Sequence, residues 1–202
     1  MRPIYATSAL ASSLYSMVIV VWIVSEATVL IRTIGSVGAR AHLAARGQDR
    51  SSGPLLFAGV LLALWVGAGL AQAVRGAAMG YLRPELFALG FLLALAGIAV
   101  RWYAIATLGR FFSMRVRTTP DQQVVVSGPY RFVRHPSYTG ALMTVLGVLL
   151  MSTNWLALAC FVIALPGFAY RIHVEEGALV ESLGDSYRRY MHRSKRLVPF
   201  LI

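Results

Sequence analysis

The sequence predicts an all-α fold, a polytopic membrane helix bundle of about five transmembrane helices with a cytosolic C-terminal helix. Three observations carry this expectation. Of 202 residues, 57% are hydrophobic and only 13% are charged, against the ~25% charge of an ordinary soluble domain. The polar residues are bunched, and the uncharged runs between them approach the ~20 residues that cross a bilayer as a helix. The basic residues sit in short segments beside those runs and alternate between many and few, which is the signature of membrane topology.

The first run, Pro3 to Ser25, carries no charge. Its apolar part is too long for a signal peptide and no small-residue cleavage site follows it, so it is read as a retained helix, Ala9 to Ile31. A second helix is expected from Leu55 to Val74 and a third from Leu86 to Leu108, with Arg101 inside it. Pro136 to Tyr170 then contains no charge and no histidine. That stretch is too long for one span and slightly short for two. A tight turn at Ser152-Thr153-Asn154, residue types that suit turns, resolves it into a hairpin with arms of about 17 residues, the lower limit for a span. Pro166-Gly167 is expected to kink the second arm. Beyond Arg171 the chain is polar and helical and ends in a basic tail. On this reading residues 1–84 hold two N-terminal helices and residues 85–202 a functional core.

Arg32, Arg40, Arg46, Arg50, the loop arginines from Arg110 to Arg134, and the tail from Arg171 to Arg196 place fifteen basic residues on one side, against Arg2, Arg75 and Arg83 on the other. The N-terminus is therefore expected outside and the C-terminus in the cytosol. The net charge of +11 belongs to this pattern and not to a nucleic-acid surface, and the tail suits anionic lipid. The lone Cys160 lies in an apolar run, which leaves no internal disulfide and no cysteine-rich metal site. Arginine abundance with a single lysine suggests a bacterial plasma membrane. Glu26 and Arg101 are ionisable groups inside apolar spans that approach the same side, so they are expected to pair. Gly67, Gly69, Gly90 and Gly97 are expected at helix contacts.

The chemistry concentrates in two clusters that a hairpin would bring to one membrane face. The first runs from Ser127 through Tyr130 and Arg134-His135-Pro136-Ser137-Tyr138 to Gly140. Pro136 suits a first helical turn, and the free N–H groups there, with Arg134 and His135, suit a carboxylate or phosphate. The second is Arg171-x-His173-x-Glu175-Glu176, in which Arg171 and Glu175, four apart, share a helix face. S-adenosylmethionine has complementary parts: a carboxylate, an ammonium, a sulfonium and a ribose diol.

Gly128-x-Tyr130, Arg134-His135-Pro136-x-Tyr138-x-Gly140, Arg171-x-x-x-Glu175-Glu176 and the tail Tyr187-Arg188-Arg189-Tyr190 with Lys195-Arg196-Leu197-Val198-Pro199-Phe200 together resemble the isoprenylcysteine carboxyl methyltransferase family. Arg101-Trp102-Tyr103-Ala104 to Leu108-Gly109-Arg110 resembles its lead-in, and phospholipid N-methyltransferases carry related patterns. The likeness covers roughly Glu85 to Ile202. It implies an all-helical membrane enzyme that uses S-adenosylmethionine and releases S-adenosylhomocysteine. It also implies that Tyr130, His135, Pro136, Tyr138, Glu175 and Glu176, with backbone around Val125, Val126 and Ser127, bind the cofactor, while Arg171 lies nearer the acceptor. Arg171 and Glu175 are the candidate catalytic residues. A carboxylate acceptor needs no general base; an amine acceptor would need Glu175 or His173. A lipid-modified or hydrophobic acid is the expected acceptor, with a lipid amine, a non-catalytic membrane scaffold and a nicotinamide-dependent reductase as the other readings.

Overall fold

The computed structural model describes residues 1–37, 49, 51–112 and 123–198. Arg40, Arg46, Arg50, Arg115, Arg117, Pro199 and Phe200, which entered the charge count and the tail motif, lie outside the described residues. Helix α1 is Ala9–Val37, α2 Ser52–Ala73, α3 Arg83–Leu108 and α4 Pro136–Met151. Helices α5, Trp155–Ala159, and α6, Phe161–Leu183, follow one another across Cys160, and α7 is Asp185–Arg193.

The protein is an integral membrane protein. Among the described residues, four stretches are long and apolar enough to cross a bilayer: Ala9–Thr33, Ser52–Ala73, Gly80–Phe111 and Trp155–Leu183. The fifth expected span, α4, is shorter, with 16 residues, or about 24 Å of helix against a hydrocarbon core of ~30 Å. Its environment accounts for this. Ten of its residues, among them Gly140, Thr144, Val148 and Met151, are buried, so it is enclosed by protein and not matched to lipid along its length. The outer helices behave oppositely. Leu10 and Ile31 on α1 are each 70% exposed and Trp65 on α2 is 77% exposed, as lipid-facing side chains should be.

The hairpin turn falls at Ser152-Thr153-Asn154, as the chargeless run requires. All three residues are buried, so their polar groups need partners inside the protein. Asn154 caps α5 by accepting from the amides of Leu156 and Ala157 at 3.0 and 3.2 Å. Its Nδ2 donates to the Val74 carbonyl at 3.0 Å, and the Met79 amide donates to the Thr153 carbonyl at 3.0 Å. The loop after α2 therefore braces the turn. Helix α6 runs through Pro166, and the interruption lies upstream at Cys160. Gly167 instead allows close approach, since a Cβ there would lie 2.9 Å from Leu56 Cα on α2.

Gly67, Gly90 and Gly97 sit at tight helix contacts, whereas a Cβ at Gly69 would meet nothing within 4 Å. Positions 67 and 69 are two residues apart, about 200° around a helix, so one neighbour cannot cover both. Two apolar clusters fill the interior. Ala11, Val18, Phe87, Ala94, Val148 and Met151 form one. Val60, Ala63, Val145, Leu149, Ala164 and Phe168 form the other.

Candidate active site

The first cluster is shaped by its turns. Gly128 has φ +54°, and a Cβ there would lie 3.0 Å from Thr107 Oγ1, so both conformation and space favour glycine. The turn Gly128–Arg131 buries Tyr130. The amides of Arg134 and His135 donate to the carbonyls of Lys195 and Arg196 at 2.7 and 3.0 Å, while those of Tyr138 and Thr139 both donate to the His135 carbonyl at 3.0 Å. Thr139 Oγ1 also donates to the Leu197 carbonyl at 2.7 Å. The tail thus lies against the start of α4.

The anion site expected here is filled by the protein's own carboxylate. Glu176 accepts from Arg134 Nε at 2.9 Å, contacts His135 Nε2 at 3.2 Å and pairs with Arg196 Nη2 at 3.0 Å. Arg134 also donates through Nη1 to the Met191 and Ser194 carbonyls. Glu176 therefore ties α6 to the α4 start and to the tail.

Glu175 belongs to a different network. Consecutive helical residues point about 100° apart, so when Glu176 faces the tail Glu175 faces inward. Tyr138 Oη donates to Glu175 Oε2 at 2.5 Å and accepts from Arg171 Nε at 3.0 Å. Arg171 Nη1 in turn donates to Ser52 Oγ at 2.9 Å and to Asp49 Oδ1. Asp49, three residues before α2, is 3% exposed. The one signal that could have raised it is that Asp49 is the only acidic residue between Glu26 and Glu85.

The Glu26–Arg101 pair forms as expected. Arg101 Nε lies 2.6 Å from Glu26 Oε1 and Nη2 donates to Oε2 at 2.8 Å. Arg101 Nη1 donates to Ser137 Oγ at 2.8 Å, so this pair also touches the start of α4, one residue before the Tyr138 that meets Arg171. Ser137 was not among the expected site residues.

Most of these groups line one cleft. Its polar end is lined by Val125, Tyr130, His135, Tyr138, Arg171 and Glu175, together with Arg134, Tyr187 and Tyr190. Its other end is apolar, with Trp22, Leu56, Val60, Val145 and Phe168. Of the expected cofactor residues, Val126, Ser127, Pro136 and Glu176 do not contribute to the lining. Val126 and Ser127 are exposed, and Pro136 is packed inside the start of α4. His173 is exposed and outside the lining. The phenols stay neutral. Burial, and then the negative charge of Glu175, pushes the Tyr130 and Tyr187 hydroxyls far above the ordinary tyrosine value. Burial pushes Tyr190 up to about 12, and its hydroxyl donates to the Tyr130 carbonyl at 2.6 Å. A phenol held protonated in this way can donate a hydrogen bond but is not a base.

Three comparisons find proteins similar to this chain. A profile of the isoprenylcysteine carboxyl methyltransferase family matches residues 88–181. The chain is 36% identical over 116 residues to the protein-S-isoprenylcysteine O-methyltransferase of Saccharomyces cerevisiae, covering 56% of this chain and 48% of that protein. It is 35% identical over 115 residues to protein-S-isoprenylcysteine O-methyltransferase B of Arabidopsis thaliana, covering 55% and 58%. The chain spans about half the length of such curated relatives. Among solved structures, the eukaryotic intramembrane Ras methyltransferase, an isoprenylcysteine carboxyl methyltransferase, matches with a TM-score of 0.53 at 23% identity, over 81% of this chain and 54% of that one. That last likeness is one of fold.

Proposed function

We propose that the chain, whose residues 88–181 match the profile of the isoprenylcysteine carboxyl methyltransferase family, methylates the carboxylate of a lipid-modified or hydrophobic acid, with S-adenosylmethionine as donor. The observation that carries this reading is the cleft itself. One continuous space joins a polar end, with Glu175, Tyr138 and Arg171, to an apolar end with Val60, Val145 and Phe168. A water-soluble donor and a lipid-soluble acceptor need such a meeting place.

The donor fits the polar end. The Glu175 carboxylate suits an ammonium or ribose hydroxyls, and Tyr130 and Tyr187 offer flat neutral walls. S-adenosylmethionine supplies an electrophilic sulfonium methyl and leaves as S-adenosylhomocysteine. The acceptor carboxylate is already ionised at neutral pH, so the protein needs no base. Its work is alignment and exclusion of water. Arg171 can hold the acceptor carboxylate by charge-assisted hydrogen bonds, and Tyr138 links it to Glu175. An amine acceptor would need a base in the cleft, a place that Glu175 occupies and the exposed His173 does not. His135 lines the cleft and contacts Glu176, which acts one layer out by fixing the tail and the start of α4.

We place the N-terminus outside and the C-terminus in the cytosol of a bacterial plasma membrane, so that the polar mouth faces the donor's supply. A C-terminal reporter fusion that reads extracytosolic would reverse this orientation. The function is tested by calorimetry with S-adenosylhomocysteine, then by radiolabelled methyl transfer to a prenylated cysteine with a free carboxylate. Binding and base-labile label are expected. Glu175→Gln should weaken binding roughly ten- to a hundredfold, about 1.5–3 kcal/mol. Base-stable label would move the acceptor class to an amine, and no binding at all would sink the methyltransferase reading.

A further inference from the structure

The acceptor-side arginine is held by residues that lie outside the family-matched segment. Asp49 and the first turn of α2 belong to the N-terminal part of the chain, while Arg171 lies on α6. Asp49 Oδ1 and Ser52 Oγ both accept from Arg171 Nη1. The Asp49 carboxylate is itself held by α2, with Ser52 Oγ donating to Oδ1 at 3.4 Å and the Gly53 amide to Oδ2 at 3.3 Å. Tyr138 fixes the Nε edge of the same guanidinium. Asp49, Ser52 and Arg171 are all buried, and Gly53 lines the cleft beside Arg171.

We propose that Asp49, supported by Ser52, is a positioning residue for methyl transfer, acting through Arg171; this rests on the methyltransferase reading above. A guanidinium on a flexible stem needs contacts on more than one edge to hold a fixed direction, and Asp49 adds a second carboxylate to Glu175 near its charge. Held on Nη1 by Asp49 and Ser52 and on Nε by Tyr138, its plane is set relative to the cleft. Direction matters because in-line displacement tolerates little error, and a misplacement of about 1 Å can cost ~100-fold in rate. Asp49 is not part of the cleft lining, so its loss should act on alignment of the acceptor more than on the donor's affinity.

The test uses the full chain in lipid nanodiscs, with Asp49→Asn, Asp49→Glu, Arg171→Lys and the Asp49→Asn/Arg171→Lys double variant. Each is measured by S-adenosylhomocysteine calorimetry and by single-turnover transfer to a prenylated cysteine with a free carboxylate. Asp49→Asn should slow transfer roughly ten- to a hundredfold while S-adenosylhomocysteine affinity stays within about threefold. Asp49→Glu should recover part of the rate. In the Arg171→Lys background Asp49→Asn should add little, because residues acting through one group are not additive. Full additivity, an unchanged rate in Asp49→Asn, or a fall in cofactor affinity in step with the rate would each overturn the assignment. Those outcomes leave an active wild type and so spare the methyltransferase reading, whereas a wild type that neither binds nor transfers overturns both.

Discussion

Helices α3 and α4 meet backbone to backbone, whereas α1 is held to the same pair by side chains. A Cβ at Gly97 would lie 2.6 Å from the Gly140 carbonyl oxygen, and one at Gly90 would lie 2.7 Å from that of Gly147. The reciprocal contacts from Gly140 and Gly147 are as close. Helix α1 instead offers Val18 and Ala11 to the core, a carboxylate at Glu26 and a hydroxyl at Ser25, while much of its surface is exposed. Lipid is as apolar as leucine, so burial alone gives little drive for association in a membrane. The seam gains from close packing that any side chain would prevent. The peripheral helix gains from a few polar contacts that cannot be satisfied in lipid.

The largest effect that separates the two modes should come from Glu26. Glu26→Leu leaves Arg101 as a buried charge with its carboxylate removed, at a cost of about 3–5 kcal/mol. Adding Arg101→Met should recover most of that loss, because the pair contributes little beyond a well-packed apolar replacement. Reversible unfolding in mixed micelles measures both. If the double variant is as unstable as the single, α1 is held by something other than the pair.

Gly97→Leu probes the other mode and should cost about 1–3 kcal/mol or more through overpacking. No single truncation on α4 should rescue it fully, since the Gly140 carbonyl and the Thr144 amide obstruct as closely as Thr144 Oγ1 does. Unfolding measured as above, with a full rescue by any α4 side-chain truncation, would show that side chains and not backbone define the seam.

These differences track what could be read from the sequence. The hairpin was legible because a charge-free run has a length, and a length too great for one span forces a turn. The Glu26–Arg101 pair was legible because ionisable groups inside apolar spans are costly alone and few in number. Gly90 and Gly97 could be singled out, but their partners Gly140 and Gly147 could not, since spacing along one helix does not say which face another helix covers. Asp49 was not legible because its role depends on where the segment before α2 returns relative to α6. The division between Glu175 and Glu176 is in the helical phase, but which residue faces the cleft depends on where the tail docks. The apolar end of the cleft draws Trp22 and Val60 from helices without any motif, because lining a lipid-soluble molecule requires only shape and apolarity.

The smallest effect concerns the hydrogen bond that adds to the Glu26 pairing on α1. Trp102 Nε1 donates to Ser25 Oγ at 2.6 Å, next to the ion pair in both helices. Ser25 is buried, so in water a lost partner would leave an indole N–H unsatisfied at a cost of ~1–3 kcal/mol. In a membrane protein the reference state also finds partners, and interhelical hydrogen bonds average only about 0.6 kcal/mol. Ser25→Ala should therefore destabilise by about 0.6 kcal/mol, well below Glu26→Leu, although the two residues are adjacent. The guanidinium of Arg32 already lies 5.4 Å from the Trp102 ring centroid, a contact that Ser25→Ala leaves in place. Side-by-side unfolding of Ser25→Ala, Trp102→Phe and the double variant measures the coupling between the two groups. A coupling above about 2 kcal/mol would mean that this hydrogen bond, and not the neighbouring ion pair, sets the position of α1 against the core.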